Sequence, residues 1–276
     1  LFRSTFASSP GAVGVGAPGK MDYLVVGSAA GKGTSWWVRT PWRAFAAELL
    51  ATMIFVFNGV AAIASTEKNP SQLTQHVDLL EIAFAHGMSI MLMVYVFGPH
   101  SGAHLNPAVT LGAVIGRKLN WAVGLGYMVA QLTGATAGAA LVLGLLPNAD
   151  DVKLGSFSLE DVSLGQGLGI EMVITFILMT TIWGVAMSPK PFHQQAKHMN
   201  FAFVGLAIGF TLFVEILATG NYTGACANPA RHFGPALVSG NWNNWWVFYV
   251  GPFLGATVST LVFVFVFPTG EEEDKE

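Results

Sequence analysis

The segments Ser101-Gly-Ala-His-Leu-Asn-Pro-Ala-Val-Thr-Leu-Gly112 and Thr223-Gly-Ala-Cys-Ala-Asn-Pro-Ala-Arg-His-Phe-Gly234 decide the fold of this chain. Each contains an Asn-Pro-Ala triplet, Asn106-Pro107-Ala108 in the first and Asn228-Pro229-Ala230 in the second. Asparagine is a good N-cap because its side-chain oxygen accepts a hydrogen bond from a free backbone N–H. Proline suits the first helical position, where its missing donor costs nothing. Each triplet therefore predicts a short apolar helix that starts after a loop of small residues.

The composition indicates a membrane protein. Of the 276 residues, 53% are hydrophobic and 11% are charged, whereas a soluble domain carries about 25% charged residues. The net charge of −3 and the lack of a basic stripe argue against a nucleic-acid partner. The single cysteine, Cys226, excludes an internal disulfide. The sequence shows neither a nucleophile–base pair nor a cluster of metal ligands, so we expect no enzyme activity, cofactor or metal.

We predict an all-α integral membrane protein with six transmembrane helices and two re-entrant half-helices. A spanning helix needs roughly 20 mostly apolar residues, and the two apolar pieces at about 106–115 and 228–239 are too short to cross. Backbone of this kind is tolerated at membrane depth only where it is buried in protein or lines a watery cavity. The predicted spans are about 42–65, 78–97, 119–146, 165–187, 200–219 and 243–267.

We expect a channel domain over residues 42–268 between two tails. Residues 1–41 are rich in Gly, Ser and Ala, which indicates a flexible tail or the remnant of a targeting peptide. Residues 269–276 form an acidic tail. Most lysines and arginines fall on one side of a six-span model, which predicts that both termini are cytosolic. The loop from about 147 to 161 is then outside, and its acids are interpreted as a solvated face.

The chain contains an inverted repeat, with copies at about 42–146 and 165–268. Glu48-Leu-Leu-Ala-Thr52 in the first span matches Glu171-Met-Val-Ile-Thr175 in the fourth, at nearly the offset that separates the triplets. Three spans separate the copies, so the second copy crosses the bilayer in the opposite direction. Inverted repeats place the working site near the midplane, where the copies meet. We therefore expect Asn106 and Asn228 to meet there.

Two facing helix N-termini would place positive partial charge and hydrogen-bond donors at one point of a pore. Each helix N-terminus carries roughly half a positive charge, so the pair repels cations. The amide N–H groups of the two asparagines remain available to a water in the lumen. A water that accepts two hydrogen bonds cannot readily relay a proton, and half-helix dipoles can exclude protons and cations from membrane pores.

From about Arg43 to Phe267 the chain resembles an aquaporin of the major intrinsic protein family, on the strength of the two triplet motifs and the paired Glu48 and Glu171. The resemblance implies a right-handed bundle of six spans and two half-helices, assembled as a homotetramer with one pore per protomer that conducts water and small neutral solutes. It also implies that the two glutamates brace the re-entrant loops. A proton relay of a coupled transporter is the alternative role for them.

The resemblance also implies a selectivity filter built from His86, Ile216, Ala225 and Arg231. An ionised residue at membrane depth is usually functional, although Arg231 tied to carbonyls is the structural alternative. A neutral His86 offers one donor and one acceptor to a permeant, or it is a satisfied core residue. Strict water channels of the family have Phe and His where this chain has His86 and Ile216.

The filter composition resembles that of ammonia-permeable tonoplast-type members. We therefore hypothesise that the pore passes ammonia, and hydrogen peroxide as a further solute, besides water. Glycerol is disfavoured, because glycerol channels carry Asp where this chain has His232. Glu215, next to the filter, is interpreted as facing a neighbouring protomer, lining the vestibule or pairing with His86. A secondary transporter and a poorly conducting structural membrane protein remain alternatives.

Overall fold

The computed structural model describes residues 42–66, 75–147, 149, 153–188 and 202–267. The predicted tails, 1–41 and 269–276, lie outside these residues. Six of the described helices are long and apolar enough to cross a membrane, and two more are short, which confirms the predicted fold class. The α-helices are α1 Trp42–Thr66, α2 Gln75–Ser101, α3 Pro107–Ile115, α4 Trp121–Leu145, α5 Leu164–Ile182, α6 Ala202–Thr223, α7 Pro229–Ser239 and α8 Val247–Phe265. A π-helical turn, Trp183–Met187, extends α5, and a 3-10 turn spans Lys153–Gly155.

Two helices are longer than the sequence predicts. The predicted second span ends at 97, but α2 continues through Pro99 to Ser101. The predicted fifth span ends at 219, but α6 continues to Thr223. In both cases the last residue carries a hydroxyl that donates to a buried glutamate, Ser101 to Glu48 and Thr223 to Glu171. These bonds hold the final turn in place.

The packing follows the repeat. In the first copy α1 packs along α4, and in the second α5 packs along α8. Each half-helix packs mainly against a span of the other copy, α3 on α8 and α7 on α4. The two copies are thus interlocked, and the tips of α3 and α7 enter the centre of the bundle from opposite directions.

Glycines allow the spans to approach closely. A Cβ at Gly134 in α4 would collide with the backbone oxygen of Leu49 in α1, and a Cβ at Gly255 in α8 would collide with that of Met172 in α5. Small residues at helix crossings are typical of membrane bundles, where backbones pack directly. The outer faces of the spans carry exposed apolar side chains such as Phe84, Val129 and Phe210, as a lipid-facing surface requires.

Candidate functional site: a pore between two half-helices

The two asparagines begin the half-helices in the same way. Asn106 caps α3 through a hydrogen bond that its Oδ1 accepts from Ala108 N at 2.8 Å. Asn228 caps α7 and accepts from Ala230 N at 2.9 Å and Arg231 N at 3.3 Å. Both asparagines are almost fully buried. The predicted helix starts and capping roles therefore match the observed geometry.

Each asparagine also bonds to the opposite loop. The amide of Asn106 donates to Ala227 O at 2.7 Å, and the amide of Asn228 donates to Leu105 O at 3.0 Å. The tips therefore touch through a reciprocal pair of bonds. Since each amide nitrogen carries two hydrogens, one N–H of each residue is engaged by protein. Each amide thus has a second hydrogen besides the one used in the reciprocal bond.

The loops before the tips have an unusual backbone. Two non-glycine residues in each loop have positive φ: Ala103 at 49° and Leu105 at 53°, and Ala225 at 52° and Ala227 at 48°. Left-handed backbone at a residue with a Cβ is strained and persists only where its surroundings hold it. The identical pattern in both copies shows that the loops have one shared shape.

Glu48 holds the first loop. Its Oε1 accepts from Ser101 Oγ at 2.6 Å and His104 N at 2.9 Å, and its Oε2 accepts from Leu105 N and Gln131 Nε2, both at 2.8 Å. An ionised carboxylate has about four acceptor sites, and here four donors occupy them. The side chain is fully buried in α1, so these bonds replace its hydration.

Glu171 holds the second loop with the same geometry. Its Oε1 accepts from Thr223 Oγ1 at 2.7 Å and Cys226 N at 3.0 Å, and its Oε2 accepts from Ala227 N at 2.9 Å. These donors are the repeat counterparts of Ser101, His104 and Leu105. Backbone donors that bind both oxygens suit a fixed brace better than a carboxylate that gains and loses a proton.

Arg231 and His86 form the polar part of the candidate filter. Arg231 Nε donates to His86 Nε2 at 3.2 Å. His86 Nδ1 lies 2.8 Å from Ile82 O, and since a carbonyl can only accept, this nitrogen carries the proton. The imidazole is therefore neutral with Nε2 as the acceptor, a tautomer assigned from its partners. Both ring nitrogens are engaged by protein, which differs from the expectation that they serve a permeant.

The guanidinium of Arg231 has two further contacts from the loop before α5. Its Nη1 donates to Gly155 O at 3.2 Å, and its Cζ lies 4.7 Å from the ring centroid of Phe157. This distance falls within the range of a cation–π interaction. Arg231 is 2% exposed, so the side chain is held on three sides.

Ile216 and Ala225, the other two predicted filter residues, are also buried. Ile216 lies on α6, and Ala225 lies in the second loop three residues before Asn228. Their side chains are apolar and belong to the same core as the loop residues. The direct polar contact therefore joins His86 and Arg231, while the other two residues contribute apolar surface.

The counterparts of the filter residues in the other copy line an open cavity beside the tip of α3. The offset that relates the triplets relates His86 to Ile208, Ile216 to Val94, Ala225 to Ala103 and Arg231 to Val109. All four counterparts line this cavity, together with Asn106, His104 and further apolar side chains. Because the copies are inverted, the filter residues occupy the equivalent position beside the tip of α7. The cavity beside α3 is lined mainly by apolar side chains, together with His104 and Asn106, whereas the equivalent positions beside α7 include His86 and Arg231.

Sequence reasoning missed the role of the loop between α4 and α5. The acids Glu160 and Asp161 are exposed, as expected of a solvated face, whereas Asp150 and Asp151 lie outside the described residues. However, Leu154 and Phe157 of the same loop are buried. The available signal was these apolar residues within an acidic loop.

The structure also narrows the alternatives for Glu215. The residue is 4% exposed within the single chain, so it does not face a neighbouring protomer. Both nitrogens of His86 have other partners, so it does not pair with that residue. Neither carboxylate oxygen has a hydrogen-bond partner among the described residues.

These features define a class: a multi-pass membrane channel with an inverted repeat, two braced half-helices and a buried, hydrogen-bonded pair of His86 and Arg231. Residues 35–263 match the model of the family described as "Major intrinsic protein". The chain belongs to the major intrinsic protein family.

Similar proteins extend this result. Aquaporin-4 of Mus musculus is 38% identical over 84% of this chain and 69% of its own length. Probable aquaporin TIP2-2 of Oryza sativa subsp. japonica is 35% identical over 83% of this chain and 89% of its own length. Among solved structures, the aquaglyceroporin from Plasmodium falciparum superposes with a TM-score of 0.73 at 24% identity, covering 83% of this chain and 98% of that one. This last similarity supports the fold alone.

Proposed function

We propose that this protein is a passive water channel that excludes protons and ions and that also passes ammonia. The single observation that carries the proposal is the reciprocal bonding of Asn106 and Asn228. It brings two helix N-termini, each with its partial positive charge, to one point of the pathway. The relatives named aquaporin support the water channel.

The filter supports ion exclusion. Arg231 is a fixed charge in an environment of low dielectric, where its repulsion of cations is much stronger than in water. Its guanidinium is held by His86, Gly155 and Phe157. The position and orientation of the charge are therefore fixed before a solute arrives. A preorganised charge needs no rearrangement in order to act.

Ammonia permeability rests on the apolar members of the filter. Ile216 and Ala225 bind no water by hydrogen bonds, and His86 has no ring nitrogen left for a permeant. The free-energy cost of leaving water is therefore smaller for a small neutral molecule than for an ion, because burial of a charge costs far more than burial of a neutral polar group. Hydrogen peroxide, also small and neutral, is a second candidate by the same reasoning.

We also propose the channel domain 42–268, the cytosolic termini and the homotetramer that the family resemblance implies. Crosslinking and size measurement in mild detergent test the assembly. Protease access from each side of a sealed vesicle tests the orientation.

The decisive experiment is parallel measurement of water, ammonia and glycerol permeability for the purified protein in vesicles. We expect fast water flux, ammonia flux above that of empty vesicles and little glycerol flux. Arg231→Val should admit cations and larger solutes, and His86→Phe should narrow the pore toward water alone. Unchanged selectivity in both variants would show that the filter is misplaced.

The alternatives have distinct signatures in the same vesicles. A secondary transporter would show saturation and dependence on an ion gradient. A poorly conducting structural protein would give water permeability equal to that of empty vesicles. Ammonia flux equal to that of empty vesicles would refute the ammonia part alone.

A further inference from the structure

His232, the residue after Arg231, is enclosed by aromatic rings. Its imidazole stacks on Phe248 with a centroid distance of 5.0 Å and an interplanar angle of 18°. Tyr249 and Trp242 approach it at 5.2 and 5.8 Å with steep interplanar angles. The side chain is completely buried. A histidine in this setting acts through the shape of its ring.

The hydrogen bonding of His232 supports that conclusion. Nδ1 makes one long contact, 3.3 Å to the hydroxyl of Tyr249, and Nε2 has no partner among the residues that the structure describes. A buried polar atom without a partner is unfavourable. The ring is therefore not held at this position by its hydrogen bonds, and stacking is its main interaction.

Phe157 connects His232 to the filter. Its ring is nearly parallel to that of His232, with centroids 6.2 Å apart and an angle of 19°, and it packs against Phe248 at 5.4 Å. It also faces the guanidinium of Arg231. Phe157 therefore lies between the charged group of the filter and the aromatic cluster that surrounds His232.

The first copy of the repeat shows that the half-helix itself does not need an aromatic ring at this position. The counterpart of His232 is Thr110, a small residue whose hydroxyl bonds to His104 and Gln131. The counterpart of Arg231 is Val109, so the first half-helix has no guanidinium at this position to orient. The ring thus occurs in the copy that carries the filter charge.

We infer that His232 is a positioning residue for ion exclusion, whose ring holds Phe157 against the guanidinium of Arg231 and so fixes the direction of the filter charge. This inference rests on the proposed function, because it presupposes that Arg231 restricts permeation. It assigns His232 a selectivity role that acts through a neighbour and involves no contact with the permeant.

Two substitutions separate stacking from hydrogen bonding. His232→Phe keeps a planar ring and removes the contact with Tyr249, so selectivity should be retained. His232→Ser removes the ring, so the ratio of urea to water permeability and the potassium leak should rise about tenfold, corresponding to about 1.4 kcal/mol in the docking of the guanidinium. Phe233→Ser is the matched control, since that ring packs on Trp242 and belongs to the same half-helix.

The measurement uses the full chain in vesicles, with solute fluxes normalised to water flux. A purely structural effect would lower all fluxes together and leave the ratio unchanged, and that result for a folded His232→Ser would overturn the inference. Loss of selectivity in His232→Phe would also overturn it. Adding His232→Ser to Arg231→Val should give no further change, because residues that act as a unit are not additive, and additive effects would contradict the proposed route.

If Arg231→Val alone leaves selectivity unchanged, the proposed filter is wrong and the inference falls with it. If Arg231→Val changes selectivity and His232→Ser does not, only the inference fails.

Discussion

Replacement of Glu171 by glutamine tests whether the second loop is held by a carboxylate. The glutamine oxygen can still accept from Thr223 Oγ1 and Cys226 N. Its amide group then faces the N–H of Ala227, which now loses the bond observed at 2.9 Å. Loss of a hydrogen bond to a charged group, with a buried N–H left unpaired, is worth about 2–4 kcal/mol.

The expected result is a less stable protein with a disturbed pore. For a chain of this size, a loss of about 2–4 kcal/mol lowers the midpoint of thermal unfolding by about 5–15 °C. Water permeability per channel should fall as well, because Ala227 has positive φ and its carbonyl receives the amide of Asn106. Thermal unfolding in detergent and stopped-flow light scattering of vesicles measure the two effects.

Glu160→Gln is the matched control for this experiment. Glu160 lies exposed in the loop before α5, and the same chemical change there should alter stability by less than about 0.5 kcal/mol. If Glu171→Gln unfolds at the same temperature as this control and conducts water at the same rate, the carboxylate does not brace the loop. The reasoning on Glu48 would then fail too.

Three further predictions concern other parts of the bundle. Glu215→Met should raise the free energy of unfolding by about 1–3 kcal/mol, because it removes a buried carboxylate that has no hydrogen-bond partner among the described residues. Thermal unfolding measures the change, and a fall would show that Glu215 has a favourable interaction. Asn228→Asp should abolish water conduction measured by light scattering, because the carboxylate would face Leu105 O with no hydrogen to donate, and a normal flux would contradict the reciprocal bonding. Gly255→Val should prevent close packing of α8 on α5 and reduce the yield of folded protein in size-exclusion chromatography, whereas Gly240→Val, with open space at its Cβ but positive φ, should have a smaller effect.

The sequence predicted the parts of this molecule that repeat. The two triplets and the paired glutamates recur at nearly the same offset, so a feature found in one copy supported the interpretation of the same feature in the other. The starts of the two half-helices were predicted within a residue, 106 and 228 against Pro107 and Pro229, because proline and its capping asparagine define a start locally. The spans followed from length and hydropathy, which depend on the bilayer and not on tertiary detail.

Contacts without a repeat counterpart could not be predicted. Phe157 reaches Arg231 through the path of a loop whose sequence resembles an ordinary solvated connection, and no spacing rule relates the two residues. The engagement of both nitrogens of His86 depends on where Ile82 O and Arg231 Nε lie in space. The burial of Glu215 likewise depends on how α6 packs against its neighbours. Sequence patterns report periodicity, whereas these features depend on three-dimensional placement.

The crossed asparagine bonds have a consequence for the order in which the molecule is built. Asn106 and its acceptor on Ala227 are 121 positions apart, and Asn228 and its acceptor on Leu105 are 123 apart. When the first half of the chain has left the ribosome, the amide of Asn106 therefore has no Ala227 carbonyl to bind. The contact between the two half-helix tips can form only when the last third of the polypeptide has been made. A chain truncated before that point would therefore lack both asparagine bonds at membrane depth.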